Sequence, residues 1–385
     1  LVGLGYEMTS DYNERTRLMA FSNTMGQIAW MIVPWLYVII PDSETFNTQT
    51  EGVRTMALIV GAMCVVFGIL PALFCKGIDS SHMENRKEIS FKSLASNLKD
   101  LFKGIVQVSK NKPFMKLCGA TFLVFNGFQM VAAFSVYIIV FYMFNGDYGM
   151  AGTWPAWFST MTALLTAFVV IPIISWMSNK WGKRKAFIIS TVLSIIGYLL
   201  KWWGFDNSLN ASFNETAFGQ ALNNGVGSLF EAMNPFLESV GMSWFSIDTS
   251  QGAPWLIFIP IPLIAFGLGG LFTLMMSMTA DVCDLDELEN GMPRKEGTFG
   301  AIYWWMVKLG QAIALVLGGL VLKMVGFISD AETQSLETMT NLRIADIIIP
   351  AATAAIAILI MWKYSLNEER AREIKRQLVE RRGEL

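Results

Sequence analysis

Charge is scarce in this chain. Of its 385 residues, 16% are charged, whereas 53% are hydrophobic and 13% aromatic; soluble domains carry roughly 25% charge. The few charges fall in short segments, and the apolar stretches between them reach about 20 residues, the length of helix that crosses a bilayer. A soluble protein would need more charge to cover its core. The composition therefore excludes a soluble enzyme or binding domain and predicts a multi-pass membrane protein.

Histidine and paired cysteines are lacking as well. His82 is the single histidine and lies in a charged stretch, and the four cysteines include no CxxC pair. We therefore expect no cofactor, no metal site, no disulfide and no histidine relay inside the membrane. The net charge of −2 gives no electrostatic reason to expect nucleic acid as a partner.

The apolar stretches predict about eight transmembrane helices, because in lipid a helix satisfies all of its backbone polar groups within one segment. The predicted spans are 21–40, 55–75, 117–144, 153–177, 186–204, 254–279, 298–327 and 344–362.

Lysine and arginine gather in alternate loops, whereas the long stretch 205–253 carries five acidic residues and no Lys or Arg. By the positive-inside rule both ends are expected in the cytoplasm, in a plasma membrane of the bacterial inner-membrane type. Lys201 and Lys323, near outer span ends, are expected to snorkel to water. The tail 366–385 alternates Glu and Arg and predicts a solvated helix. The stretches expected outside are 41–54, 145–152, 205–253 and 328–343.

Two motifs carry a family resemblance. The first is Gly5-Tyr6-Glu7-Met8-Thr9-Ser10-Asp11-Tyr12-Asn13-Glu14-Arg15-Thr16-Arg17. The second is Ala280-Asp281-Val282-Cys283-Asp284-Leu285-Asp286-Glu287, followed by Arg294-Lys295-Glu296-Gly297 and an apolar helix. They resemble the loops between helices four and five and between helices ten and eleven of the glycoside–pentoside–hexuronide:cation symporter family, the melibiose permease group of the major facilitator superfamily. The resemblance covers essentially the whole chain.

This resemblance implies an all-α membrane protein with the major facilitator fold, N-terminally truncated, with about eight of twelve transmembrane helices present. Residues 1–76 would be the remainder of the first six-helix half, 77–116 a cytoplasmic connector with an amphipathic helix at 90–106, 117–362 the second half, and 363–385 a cytoplasmic charged tail. The implied function is cation-coupled symport of a sugar or glycoside by alternating access, by a monomer in a lipid bilayer. The coupling cation is expected to be Na⁺ or H⁺, with ligands mostly on the family's helices one, two and four.

A lysine inside a span is the strongest candidate for a substrate contact. Lys308 lies about ten residues into a predicted span, where it is costly unless it faces a polar cavity or pairs with a carboxylate. Trp304, Trp305 and Gln311 share its helix face. An aromatic platform beside a cation and an amide suits a sugar, and the resemblance also implies a lysine here beside the sugar and cation sites. A structural lysine paired with another helix is the alternative.

Two polar stripes leave substrate contact and interhelical hydrogen bonding open. The resemblance implies an arginine at the position of Asn23; because it is absent here, the resemblance does not extend to how the same sugar, or any charged one, is held. Phe272 stands where melibiose permease has a tryptophan near its sugar site, so the aromatic character alone carries over. The stripes are Asn23, Gln27 and Trp30 in the first span and Asn126 and Gln129 in the third.

Three carboxylates spaced three apart share one side of a helix end: Asp281, Asp284 and Glu287. Their mutual repulsion requires basic partners on the same side of the membrane. The resemblance implies that such pairs lock the inner ends of the two halves, so we expect them to close a cytoplasmic gate; a solvated acidic cap is the alternative. The basic candidates are Arg15, Arg184 and Arg294.

Other functions remain possible alternatives. A carrier of the same fold for a lipid or drug-like amphiphile would use the many aromatic residues equally well. A membrane-embedded enzyme would need a catalytic cluster at one membrane surface, but the acidic cluster lies on the same predicted side as the arginines and has no histidine near it. We therefore expect no enzyme activity. A sensor that does not transport is the third alternative.

Overall fold

The fold is described by a computed structural model. It covers residues 11–40, 46–74, 105–250, 252–291, 295–329 and 331–382, and the regular elements in those ranges are helices. The helices are α1 (Tyr12–Ile32), α2 (Gln49–Phe74), α3 (Lys112–Met143), α4 (Tyr148–Trp181), α5 (Lys183–Gly204), α6 (Asn207–Glu215), α7 (Ala217–Ser239), α8 (Trp255–Asn290), α9 (Glu296–Met324), α10 (Leu336–Trp362) and α11 (Glu368–Arg382).

Seven of the described helices are long and apolar enough to cross a membrane, namely α2, α3, α4, α5, α8, α9 and α10. The prediction of an all-α, multi-pass membrane protein is confirmed, but the count is one lower than the eight expected. The difference is the predicted span 21–40. Its helix α1 carries polar residues along much of its length, and it continues through the 3₁₀ turn Val33–Trp35 and the short helix Leu36–Ile39.

Glycines allow α5 and α8 to pack closely. A Cβ atom on Gly197 of α5 would lie 2.6 Å from the backbone nitrogen of Ile264. A Cβ atom on Gly267 of α8 would lie 2.9 Å from the Cβ atom of Ser194. Small residues at such contacts are the usual means by which membrane helices approach each other. Just beyond this contact α8 widens into a π-helical turn at Leu271–Met275, a form that often marks functional sites.

The predicted outer stretch 205–253 is largely helical. Asp206 caps α6 by accepting a hydrogen bond from the backbone N–H of Leu209, and Thr216 caps α7 in the same way. The stretch is fixed to the start of α8, because the side-chain oxygen of Asn210 accepts from the backbone N–H of Leu256 at 3.0 Å. It therefore forms an ordered cap beside the C-terminal end of α5 and the N-terminal end of α8.

The charged tail differs from its prediction. The segment is helical, as predicted, but it is not solvated throughout. Helix α11 buries Ala371, Ile374 and Leu378, and the last two belong to the cluster that includes Leu285 near the C-terminal end of α8. The alternating Glu and Arg hide this buried stripe at helical spacing. The predicted helix at 90–106 and most of the connector lie outside the described residues, although 105–109 is helical.

Candidate substrate site and cytoplasmic gate

Phe272, in the π-helical turn of α8, lies at the centre of the predicted substrate residues. Its ring stacks on Trp304 of α9, with 5.9 Å between ring centroids and an interplanar angle of 15°. It also meets Phe125 of α3 edge-on at 5.6 Å. Phe272 and Trp304 are half-buried, and the indole Nε1 of Trp304 has no hydrogen-bond partner among the described residues. The pair therefore offers an apolar face together with an unused donor.

The polar stripe of α1 lies against the same turn of α8. The amide nitrogen of Asn23 donates to the Thr273 hydroxyl at 3.0 Å and approaches the Gly269 carbonyl at 3.4 Å. Gln27 in turn donates to the Asn23 side-chain oxygen at 3.2 Å. Asn23 thus makes the interhelical hydrogen bonds of the structural alternative. The side-chain oxygen of Gln27 is buried and has no partner in the described part of the chain, so Gln27 keeps a free acceptor.

A cavity of about 60 Å³ lies beside Gln27 and Trp30, between α1, α3, α4 and α8. Its walls are mainly apolar, and Trp30 is 41% exposed. This volume holds a few waters and is far below the roughly 300–1,000 Å³ of ordinary ligand pockets. The polar or aromatic side chains in the wall are those of Gln27, Trp30, Phe128, Ser135, Phe158, Ser159 and Thr162.

The polar pair of α3 divides. Asn126 is buried and donates its amide to the Gly310 carbonyl of α9 at 3.1 Å. That hydrogen bond joins α3 to α9, as the interhelical alternative requires. Gln129 is half-buried, and its contact with a substrate stays a prediction.

The four candidates on α9 separate into two groups. Trp304 turns inward to Phe272, whereas Lys308 is exposed and Trp305 is 61% exposed. Within the described ranges Lys308 makes no ion pair, and its Nζ donates to the Gln311 side-chain oxygen at 3.3 Å. The cation and the amide thus lie together on α9, about one turn from Trp304 of the aromatic pair.

The predicted gate carboxylates meet Arg15. Both terminal nitrogens of the guanidinium bind the Asp284 carboxylate, with Nη2–Oδ1 at 3.2 Å, and Nη1 lies 3.5 Å from Oδ1 of Asp281. Lys183 completes the cluster, because its Nζ lies 2.7 Å from Oδ2 of Asp281. These four side chains are buried. The cluster joins α1 to α5 and α8 by charge-assisted hydrogen bonds, which are stronger than neutral ones.

The other gate candidates lie differently. Arg184 does not face the carboxylates: its Nη1 donates to the Tyr364 backbone carbonyl at 3.2 Å. Consecutive helical residues point about 100° apart, so the first residue of α5, Lys183, takes the place that was expected of its neighbour. Glu287 is buried at the same end of α8. Arg294 lies outside the described residues.

Sequence reasoning missed a buried ion pair in the second half. Lys201 of α5 is 1% exposed; its Nζ pairs with the Asp346 carboxylate of α10 and donates to the Ser135 hydroxyl of α3 at 2.9 Å. The expectation that Lys201 snorkels to water is therefore wrong. The available signal was Asp346, an acidic residue within the last apolar span, which required a basic partner on another helix.

Arg343 of α10, also buried, links that helix to the C-terminal ends of α3 and α5. It donates to the Tyr142 hydroxyl at 2.8 Å and to a backbone carbonyl of α5 at 2.6 Å, and it lies 3.6 Å from Asp206. The pKa of Asp206 is lowered: burial raises it, but the hydrogen bonds from Ser208 and a backbone N–H, together with the charge of Arg343, outweigh burial. This cluster joins α10 to α3 and α5.

Comparison with known proteins decides the family. Residues 1–368 match the family described as MFS/sugar transport protein. The chain belongs to that family. Its membership confirms the major facilitator resemblance carried by the two motifs.

Proteins similar to this chain include two from a bacterium and one from a vertebrate. A candidate sulfoquinovose importer of Escherichia coli (strain K12) is 23% identical over 98% of this chain and 66% of its own length. A glucuronide carrier protein homolog of the same strain is 22% identical over 69% of this chain and 47% of its own length. The sodium-dependent lysophosphatidylcholine symporter 1-B of Danio rerio is 21% identical over 87% of this chain and 53% of its own length. The chain thus spans less than two thirds of the length of these relatives.

Proposed function

We propose that this protein is a secondary active transporter that couples the movement of a sugar or glycoside to that of Na⁺ or H⁺. It works by alternating access, as a monomer in a plasma membrane with both ends in the cytoplasm. The observation that carries the proposal is the buried cluster of Arg15, Lys183, Asp281 and Asp284. It joins α1, which the resemblance assigns to the first half, to two helices of the second half. A closure built from ion pairs can open when its members separate and find water.

The substrate class is inferred from Phe272 and the side chains near it. A sugar ring packs its apolar face on an aromatic side chain, while its hydroxyls need donors and acceptors; Trp304 Nε1 and the Gln27 side-chain oxygen are both unused. Two relatives are named for sulfoquinovose and glucuronide, and both of these sugars are anionic. Lys308 and Gln311 would meet the anionic group on the open side of α9. An anionic sugar is therefore the first substrate to test.

A lipid-like substrate is the second candidate. One relative is named as a sodium-dependent lysophosphatidylcholine symporter, and the cavity beside Trp30 is mainly apolar. A single acyl chain would suit such a wall better than a sugar would. An enzyme is disfavoured because these three relatives are named as an importer, a carrier and a symporter.

The test is uptake into proteoliposomes that hold the full-length protein, under a Na⁺ gradient or a pH gradient. Labelled sulfoquinovose, a neutral glycoside and lysophosphatidylcholine are offered separately and in competition. We expect gradient-driven uptake of a sugar. Uptake of the lysolipid that no sugar inhibits would favour the second candidate, and the absence of gradient-driven uptake of all three would contradict symport.

The matched variants are Trp304→Phe and Trp305→Phe. The first keeps the ring stacked on Phe272 but removes the unused donor. The second removes a donor from a mostly exposed indole. Sugar uptake should weaken more in the Trp304 variant, whereas lysolipid uptake should respond little to either.

A further inference from the structure

The segment 243–247 of the outer stretch crosses the outer end of α1. The backbone carbonyl of Ser246 accepts hydrogen bonds from Thr153 Oγ1 at 2.5 Å and from Trp157 Nε1 at 3.0 Å. Both donors belong to α4. The segment is therefore attached to the second half of the protein.

The segment carries two aromatic rings onto α1. Trp35, in the 3₁₀ turn that extends α1, is 5% exposed and meets Phe245 at 4.8 Å and Trp244 at 5.5 Å between ring centroids. Phe245 also meets Trp157 of α4 at 5.0 Å and Phe230 of α7 at 6.0 Å. The rings of the outer stretch thus bridge α1 and α4.

This aromatic contact lies on the outer side of the cavity. Trp35 follows Trp30 by five residues on the outward course of α1, a rise of about 8 Å. On α4, which runs inward, Thr153, which holds the segment through Ser246, precedes Pro155, the first residue of that helix in the cavity wall. A substrate approaching the cavity from outside between α1 and α4 meets the segment first.

The two attachments of the segment differ in kind. Its connection to α4 includes two hydrogen bonds to Ser246, whereas its described contacts with α1 are ring contacts. Ring contacts form and separate without leaving a buried polar group unpaired. Trp35 also meets α4 directly. Its indole donates to Thr160 at 3.0 Å, and the Thr160 hydroxyl donates to the Met31 carbonyl of α1 at 3.2 Å, so water must replace these two hydrogen bonds when α1 and α4 separate. For the segment itself, the weaker boundary is the one with α1.

We propose that residues 243–247 form the outer gate of the transporter: the segment moves with α4, and its contacts with Trp35 break to admit substrate from outside. The proposal rests on alternating access, because a gate has a role only if the cavity opens to that side. It assigns a function to the outer stretch that is independent of the substrate.

The first test is outside labelling of a cavity cysteine. Ser159→Cys is introduced with Cys64 and Cys75 replaced by Ser, and a membrane-impermeant maleimide is added from outside. Trp244→Ala/Phe245→Ala should raise the labelling rate about fivefold, as the loss of a weak closing contact shifts the population. Phe236→Ala, which removes one aromatic ring at a 65% exposed position of α7, should leave the rate unchanged. An unchanged rate in the double variant, or an equal rise in the control, overturns the proposal. The readout needs no transported substrate, so it stands apart from the test of sugar uptake.

The second test keeps the fold intact and uses a short bifunctional thiol reagent. It joins Trp35→Cys to Phe245→Cys across the proposed boundary, or Trp157→Cys to Phe245→Cys within the unit that moves together. The ring distances are nearly equal, 4.8 Å and 5.0 Å. The first cross-link should abolish uptake of the transported substrate, and the second should leave most of it. Equal effects of the two cross-links overturn the proposal.

Discussion

The two ends of α1 are held by different chemistry. Near its start, Arg15 is buried among Asp281, Asp284 and Lys183. At its outer continuation, Trp35 is buried among aromatic rings. A buried charge cluster is stable only when it is complete, because a single member left behind costs about 3–5 kcal/mol. Aromatic pairs contribute about 0.5–1.5 kcal/mol each beyond the area they bury. The charged closure should therefore fail abruptly on mutation, and the aromatic closure gradually.

The largest effect is expected at the charged closure. Arg15→Ala leaves two buried carboxylates with one lysine, so the closed inner end should lose about 3–5 kcal/mol and uptake should fall at least about a hundredfold. Arg17→Ala removes a 68% exposed partner of Glu14 and should have little effect. Initial uptake rates compare the two. Similar rates in the two variants would show that the cluster does not act as a gate.

The buried ion pair of Lys201 and Asp346, which lies away from α1, tests the cost of breaking a charge pair. Lys201→Met should lower the free energy of unfolding by about 3–5 kcal/mol, because Asp346 is left buried without its partner. Lys201→Met/Asp346→Leu should recover much of that loss. Thermal unfolding in detergent measures both. A double variant no more stable than the single one would contradict pairing as the source of the stability.

These clusters also show how much of the fold and of the candidate site could be predicted from the sequence. Length and hydropathy predicted the spans, and opposite charges on one side of the membrane predicted that Arg15 would meet Asp284. The sequence could not predict that Lys183, and not Arg184, pairs with Asp281, because that pairing depends on the rotation of α5 about its axis. The contact between Trp35 and Phe245 was equally hidden, since rings about 200 residues apart leave no periodic pattern. Only the tertiary fold brings them together.

A smaller effect is expected at the aromatic closure. Trp35→Leu keeps an apolar side chain but removes the ring contacts with Trp157, Trp244 and Phe245. The outward-closed state should lose about 1–2 kcal/mol, with uptake changed by less than about tenfold. The measurement is the labelling rate of Ser159→Cys from outside, and Trp181→Leu, at a half-exposed site on the inner end of α4, is the control. A loss as abrupt as that of Arg15→Ala would remove the distinction between the two closures.

The smallest effect is expected at Trp304, which stacks on Phe272. A change there tests substrate binding and not closure. Trp304→Phe removes one hydrogen-bond donor, worth about 1 kcal/mol, so the KM for the transported sugar should rise about fivefold with the maximal rate little changed. Concentration-dependent uptake separates the two constants. A fall in maximal rate at constant KM would show that Trp304 acts on the conformational change and not on binding.

The most direct test is the labelling of Ser159→Cys from each side of sealed vesicles, in one variant that weakens the charged closure and one that weakens the aromatic closure. Asp284→Asn/Glu287→Gln weakens the inner closure, and Trp244→Ala/Phe245→Ala weakens the outer one. We predict faster labelling from the cytoplasmic side in the first variant and from the outer side in the second. Faster labelling from the same side in both variants, or no change in either, would contradict a carrier that is closed at opposite ends of α1.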